Sequence, residues 1–208
     1  MTEIGSAVKR GTDLVASTLA LAILSVPFAA IALAIKLDGG GPVFFRQERA
    51  GKDGRLFRVW KFRTMVVGAE RIGAGYGFER GDSRVTRVGR LLRRLGLDEL
   101  PQLANVLVGE MSLVGPRPAI PYQVAMYTEQ QRRRLCIRPG LTGWALVNGR
   151  NELKWSERIE LDLWYIEHFS VCLDLRILLR TCAVVMLGQG LRMDQAAEEV
   201  EDFGKHKT

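Results

Sequence analysis

The sequence predicts a mixed, helix-dominated α/β fold: one domain over residues 1–208, held at a membrane by a helix-break-helix near its N-terminus. Three observations carry that prediction. Residues 14–35 contain no charged side chain; a compact strand-turn-strand pattern follows; and the remainder alternates arginine-rich amphipathic segments with short proline- and glycine-marked turns. A chain of 208 residues is long enough for one hydrophobic core.

The apolar run LVASTLALAILSVPFAAIALAI (14–35) has the length of a bilayer-spanning helix. It is too long for a signal peptide's apolar region, and no small-residue cleavage site follows it. Pro27 removes a backbone donor inside the run and predicts a break near Ser25-Val26-Pro27, with Ser25 able to satisfy a freed carbonyl. Lys9 and Arg10 precede the run, and Lys36, Arg46 and Arg49 follow it. Basic residues on both flanks favour a segment that enters and returns over one that crosses.

Next, GGGPVFFRQERAGKDGRLFRVWKFRTM reads as a small β-hairpin, with Lys61 and Arg63 closing its second strand. The glycines at 73, 75, 77 and 81 read as a loop, since G-x-G-x-G without a preceding strand is weak evidence for a phosphate cradle. Residues 84–95 have helical spacing, with Arg87, Arg90 and Arg94 on one face and Leu91, Leu92 and Leu95 on another, which suits an interfacial amphipathic helix. Helices are expected at 98–108, 119–135 and 152–168. Arg132, Arg133 and Arg134 read as a solvated face. The apolar stretch 169–187 is interrupted by Asp174, Arg176 and Arg180, which favours an interfacial or buried helix over a spanning one. Residues 36–188 are expected to form the body of the domain, the catalytic region if the chain is an enzyme, and 189–208 a polar tail.

Net charge is +7, and arginine supplies 23 of the 30 basic residues, a bias that suits phosphate or phospholipid partners. The three cysteines lack a metal or disulfide spacing and read as reduced thiols. With two histidines in the chain, a zinc cluster or serine-histidine triad has little to draw on. The basic stretches lack the interleaved aromatics of a single-strand nucleic-acid platform, so no nucleic-acid partner is expected.

Asp98 and Glu99 stand adjacent before Leu100-Pro101-Gln102, with arginines at 84, 87, 90, 93 and 94 upstream and Arg117 downstream. From spacing alone, Asp98 reads as a helix N-cap with Glu99 and Pro101 in the first turn. That reading is compatible with chemistry on a phosphate: carboxylates can attack or hold a metal, and guanidinium forks grip phosphate oxygens.

Six motifs in order decide between these readings: KFRTM (61–65), GDSRVTRVGRLLRR (81–94), LDELPQL (97–103), GEMSLVGPRP (109–118), RPGLTGWALVNGRN (138–151) and ELDLWYIEHFS (160–170). Together they resemble the bacterial sugar transferases, specifically the small monotopic phosphoglycosyl transferases, from about Val8 to Leu187. The resemblance implies transfer of a sugar 1-phosphate from a UDP-sugar to polyprenyl (undecaprenyl) phosphate with release of UMP, as the first membrane step of glycan assembly. It implies Asp98 as nucleophile, Glu99 as ligand to Mg2+, and Arg117 as a phosphate grip. Lys61, Arg93 and Asp162 match further site positions of the family. Arg138 and Arg150 are expected to contact donor or lipid phosphate on charge alone. The family's re-entrant helix breaks at a Ser-Pro pair; here Val26 separates Ser25 from Pro27. The implied location is the cytoplasmic face of the bacterial inner membrane among phospholipids, and a homodimer is compatible with it. Two other readings are a non-catalytic basic membrane-anchored module that binds phosphoinositide-like lipids or nucleic acid, and a membrane glycosyltransferase that would release UDP.

Overall fold

The computed structural model describes residues 3–72, 82–149 and 153–186. Its first element is α1 (Glu3–Gly39), a single helix with Pro27 inside it. The expected break therefore does not end the helix. Proline removes one amide from the ladder, and Ser25 Oγ donates to the Ala22 carbonyl at 2.7 Å, next to the Ile23 carbonyl that Pro27 leaves without its donor. The run Gly5–Gly39 has a mean hydropathy of 2.4 in its most apolar window, only 6% of which is buried. Ile23, Val26, Leu33 and Leu37 are all more than half exposed. A core helix of a soluble protein would hide such residues; this one presents them outward.

The other side of α1 rests on the body along its length. Ala16, Ala20, Leu21 and Leu24 pack on the central core, and Phe28, Ile31 and Ile35 on a smaller cluster with Phe62 and Leu92. Polar contacts tie both ends. Arg10 donates to the Val106 and Leu107 carbonyls at 2.6 and 2.8 Å, and Asp13 Oδ1 accepts from the Leu113 amide at 2.9 Å. At the far end, Asp38 Oδ2 accepts from the Val88 amide at 2.8 Å.

The hairpin forms as expected: β1 (Phe44–Ala50) pairs antiparallel with β2 (Leu56–Phe62), and Phe45 lies opposite Lys61 and Arg49 opposite Phe57. Strand alternation sends Phe57, Val59 and Lys61 to one face. Phe57 and Val59 enter the core, whereas Lys61 reaches past its edge. The amphipathic segment is α2 (Arg87–Leu95), capped by Thr86 through the Gly89 amide. Leu92 is buried, while Leu91 and Leu95 stay exposed beside Arg87, Arg90 and Arg94.

Gly96 ends α2 in the left-handed region at φ 68°, a conformation that glycine takes without steric cost, and reverses the chain into a 3-10 helix (Leu97–Gln102) and α3 (Leu103–Val108). The expected single helix over 98–108 is thus two segments. Asn105, fully buried, locks this pair to the hairpin: its side chain accepts from the Trp60 amide at 3.0 Å and donates to the Arg58 carbonyl at 2.9 Å. A side-chain amide here completes the edge of β2 as another strand would.

Strand β3 (Ser112–Val114) runs parallel to β4 (Gly140–Thr142). The expected helix over 119–135 is divided into α4 (Pro121–Ala125), α5 (Glu129–Arg132) and a 3-10 turn. A short α6 (Trp144–Val147), then α7 (Trp155–Glu167) and α8 (Val171–Met186), complete the fold. Helix α8 matches the expected amphipathic segment: Ile177 is fully buried, and Val171, Leu175 and Leu179 are exposed beside Arg176 and Arg180. Tyr165 of α7 donates to Asp174 at 2.6 Å, and Lys9 of α1 donates to the other oxygen of that carboxylate at 2.5 Å. One ion-pair network therefore joins the apolar helix to the last two helices. The glycine run at 73–81 and the polar tail lie outside the described residues.

Candidate active site

The acidic pair sits in the first turn of the 3-10 helix, with Gly96 rather than Asp98 in the cap position and no side-chain cap bond. The N-cap reading of Asp98 is thereby excluded. Glu99 is held from two directions. Lys61 Nζ donates to its Oε1 at 2.9 Å, and Arg117 forks onto both oxygens at 2.8 and 3.3 Å. Among the described residues, the Asp98 carboxylate makes neither a hydrogen bond nor an ion pair. The two neighbours are thus chemically distinct. Burial and the adjacent Glu99 charge push the Asp98 carboxyl above the usual carboxylate range, against the pull of Lys61, Arg93 and Arg117. Burial acts upward on Glu99 too, but Arg117 and Lys61 outweigh it and hold that carboxyl well below its ordinary value. Adjacent carboxylates whose environments drive them apart can take different roles.

Arg117 is placed by backbone packing. The Gly115 amide donates to the Thr142 carbonyl at 2.9 Å, and the Gly140 amide to the Pro116 carbonyl at 2.8 Å. A Cβ on Gly140 would come within 2.1 Å of the Gly115 nitrogen, so only glycine admits this approach. Between Pro116 and Pro118, Arg117 then projects towards Glu99 with its side chain 47% exposed. Its own carbonyl accepts from Arg134 at 3.2 Å.

Arg134 also accounts for Asp162. The two form an ion pair at 2.5 Å with side-chain exposures of 1% and 3%, and Arg134 donates to the Tyr127 hydroxyl at 2.6 Å. Burial pushes the Asp162 carboxyl up and Arg134 pulls it back. Asp162 is therefore a buried support beneath the Arg117 loop. Arg134 corrects the reading of residues 132–134 as a solvated face: only Arg132 and Arg133 are exposed.

Arg93 lies on the other side of the dyad, its Nε donating to Thr64 Oγ1 at 2.8 Å. Burial lowers its pKa, with Asp98 the leading opposing charge. Arg138 stands apart: it is exposed, and its Nε donates to the Gly109 carbonyl at 2.8 Å beyond the end of α3. Arg150 lies outside the described residues. Arg63, expected with Lys61 to face an anion, instead donates to the Gly40 carbonyl.

A narrow cleft opens beside the dyad, lined by Arg49, Lys61, Glu99, Gln102, Arg117 and Gly140 among others. Arg49 lines this cleft although nothing in its local sequence singles it out. Its signal was the hairpin register: Arg49 lies opposite Phe57 and so shares the face that carries Lys61. No group of three or more potential metal ligands occurs among the described residues. Magnesium does not require one, since it is commonly held by one or two carboxylates together with substrate phosphates. The hard oxygens of Asp98 and Glu99 fit that chemistry.

Fold and site together define a class: an α/β protein carried on an exposed apolar helix, with paired carboxylates set in a cationic cleft suited to phosphate groups. A family model described as bacterial sugar transferase matches residues 4–188, and the chain belongs to that family. It is 45% identical over 184 residues to the uncharacterized sugar transferase EpsL of Bacillus subtilis, covering 88% of this chain and 90% of that protein. It is 47% identical over 184 residues to the undecaprenyl-phosphate glucose phosphotransferase of Komagataeibacter xylinus, covering 83% of this chain and 35% of that one. It is 45% identical over 185 residues to the UDP-glucose:undecaprenyl-phosphate glucose-1-phosphate transferase of Escherichia coli, covering 83% of this chain and 39% of that one. The chain thus spans nearly all of the first relative and little more than a third of the other two.

Proposed function

We propose that this protein transfers a sugar 1-phosphate from a UDP-sugar to undecaprenyl phosphate, at the membrane, as a starting step of exopolysaccharide or capsule assembly. The relatives' names supply the reaction class. The observation that carries it to this chain is the division of labour in the dyad, in which Glu99 is clamped by two cations while Asp98 beside it is uncommitted and raised in basicity.

In the proposed mechanism, an Asp98 oxygen attacks the sugar-bearing phosphorus of the donor. A phosphorus-oxygen bond forms, the bond to the UMP oxygen breaks, and UMP leaves with that electron pair. An oxygen of the polyprenyl phosphate then attacks the same phosphorus, and the Asp98 carboxylate departs unchanged. Splitting one displacement into two in this way is nucleophilic catalysis by a carboxylate. Lys61 and Arg117 hold Glu99 in place, and with Arg93 they surround the phosphoryl oxygens with positive charge. Glu99, with donor phosphate oxygens, would hold a magnesium ion, which neutralises developing charge on those oxygens when bound.

The contacts of α1 support a one-sided topology. Its two ends are tied by polar contacts to one body, so a straight crossing that separates them would break those contacts at one end. A helix that lies along one leaflet and stays on one side keeps both. Its exposed apolar face, together with Leu91 and Leu95 of α2 and the outer face of α8, supports a monotopic placement in the cytoplasmic leaflet of the inner membrane, where arginines meet anionic headgroups.

The test is nucleotide release by the purified protein with magnesium, undecaprenyl phosphate and individual UDP-sugars. UMP is expected with the correct donor, and Asp98→Asn should abolish it while leaving the thermal unfolding midpoint no lower than wild type. UDP as the product, or full turnover by a folded Asp98→Asn variant, would overturn the mechanism.

A further inference from the structure

Glu99 absorbs Lys61 and Arg117, which leaves another cation on the cleft wall to be explained. Arg49 shares the hairpin face of Lys61 and lines the same cleft. Its guanidinium donates to Gln47 Oε1 at 2.6 Å and makes a long contact of 3.4 Å to the Pro118 carbonyl. Among the described residues, no carboxylate lies within ion-pair distance of it. A half-buried guanidinium with only neutral acceptors, next to a second guanidinium, is an arrangement that an anion placed between them would relieve.

Resting on the functional reading above, we propose that Arg49 is a phosphate-binding residue of this cleft, gripping phosphoryl oxygens together with Arg117. The electrostatics point the same way: burial first, and Arg117 second, pull the Arg49 pKa from its ordinary value down to about 10, with Glu99 partly opposing. A phosphate bound between the two guanidiniums would supply the negative charge that offsets the Arg117 repulsion. Two substrates of the proposed reaction carry such a group: the diphosphate of the nucleotide donor and the terminal phosphate of the lipid acceptor. The planar fork of arginine matches either.

The experiment is a binding titration on the full chain in detergent, with UDP and with farnesyl phosphate as separate probes. It compares wild type, Arg49→Gln, Arg49→Lys and, as a control for lost charge elsewhere on the hairpin, the exposed Arg58→Gln. Arg49→Gln should weaken at least one probe by about tenfold or more, the scale of a lost charged hydrogen bond. Arg49→Lys should recover much of the loss, and Arg58→Gln should match wild type. The salt dependence of the affected probe should become shallower in Arg49→Gln. Loss confined to UDP assigns Arg49 to the donor diphosphate; loss confined to farnesyl phosphate assigns it to the acceptor. Wild-type affinity for both probes in Arg49→Gln overturns the inference alone. Equal losses in Arg49→Gln and Arg49→Lys with an unchanged salt slope also overturn it, because Arg49 would then act only by holding Pro118. A wild-type protein that binds neither probe and releases no nucleotide overturns the functional reading, and the inference with it.

Discussion

Neutralising the two acids of the dyad should move stability in opposite directions. The perturbations are the near-isosteric pair Asp98→Asn and Glu99→Gln. Glu99 is depressed in the folded state, so its ionised form contributes stability that is present above the unfolded carboxyl value and lost as pH falls through the lower folded one. Asp98 is raised, so its contribution is present below the unfolded value and lost as pH rises through the folded one. At neutral pH, Glu99 therefore stabilises the fold and Asp98 burdens it. The Lys61 bond to Glu99 joins side chains 17% and 23% exposed and is worth about 1.5–3 kcal/mol as a charged hydrogen bond. The Arg117 pair, with that arginine 47% exposed, adds only about 0–1 kcal/mol after screening. Glutamine keeps an acceptor, so Glu99→Gln should cost roughly half of this, about 1–2 kcal/mol. For a domain of this size that is a midpoint lower by about 2–8 °C. Asp98→Asn should leave the midpoint unchanged or higher. Thermal unfolding by intrinsic fluorescence in one detergent at pH 7 reads both. The reasoning fails if Glu99→Gln is neutral, or if both variants fall by similar amounts.

Two further outcomes follow from the supports of Arg117. Asp162→Ala leaves Arg134 buried and unpaired and should cost about 3–5 kcal/mol, enough to lower soluble yield and the unfolding midpoint; an unchanged midpoint would contradict the buried pair. Gly140→Ala forces Cβ into the Gly115 backbone and should displace the loop carrying Arg117, cutting turnover by about tenfold or more while α1 and the hairpin stay folded. Helical content by circular dichroism and nucleotide release separate those effects, and wild-type turnover in that variant would refute the placement.

The parts of the site legible in sequence are those whose side chains announce their own chemistry. Asp98 and Glu99 among arginines, Arg117 between prolines, and Lys61 with Arg63 at a strand end stand out by charge, and the six motifs in order select the dyad, Arg117 and Lys61 over the cap reading. The parts that were not legible depend on register or on burial. Arg134 sits in a run of three arginines, whose composition signals solvent, and only the packing of α7 against it supplies Asp162. Arg49 needed the pairing of β1 with β2. Strands of three residues such as β3 and β4 carry no period to read, yet their pairing sets the Arg117 loop. Asn105 looked like an ordinary helix residue, and its role as a substitute strand edge exists only after the hairpin has formed. The course of α1 is unbroken, against the expectation of a break near Ser25-Val26-Pro27, and Leu24 before the proline and Phe28 after it both pack on the body.

The contacts of α1 give that helix a second purpose besides its apolar face. The chain from Val88 to Leu113 contains Arg93, the dyad and α3, and α1 grips it at both ends. Asp38 holds the Val88 amide at its start, while Arg10 and Asp13 hold the Val106 and Leu107 carbonyls and the Leu113 amide near its close. Leu113 belongs to β3, which runs directly into the Gly115–Pro118 loop. One rigid helix thus fixes the separation between the Arg93 side and the Arg117 side of the carboxylates. Buried Asp13 and Ser17, otherwise costly in an apolar helix, are explained by this arrangement: Ser17 donates back to the Asp13 carbonyl at 2.5 Å, and Asp13 reaches the amide at the base of the Arg117 loop. An anchor that served only to reach lipid would need neither residue. Their presence argues that the apolar helix is part of the frame of the site as well as its attachment to the membrane.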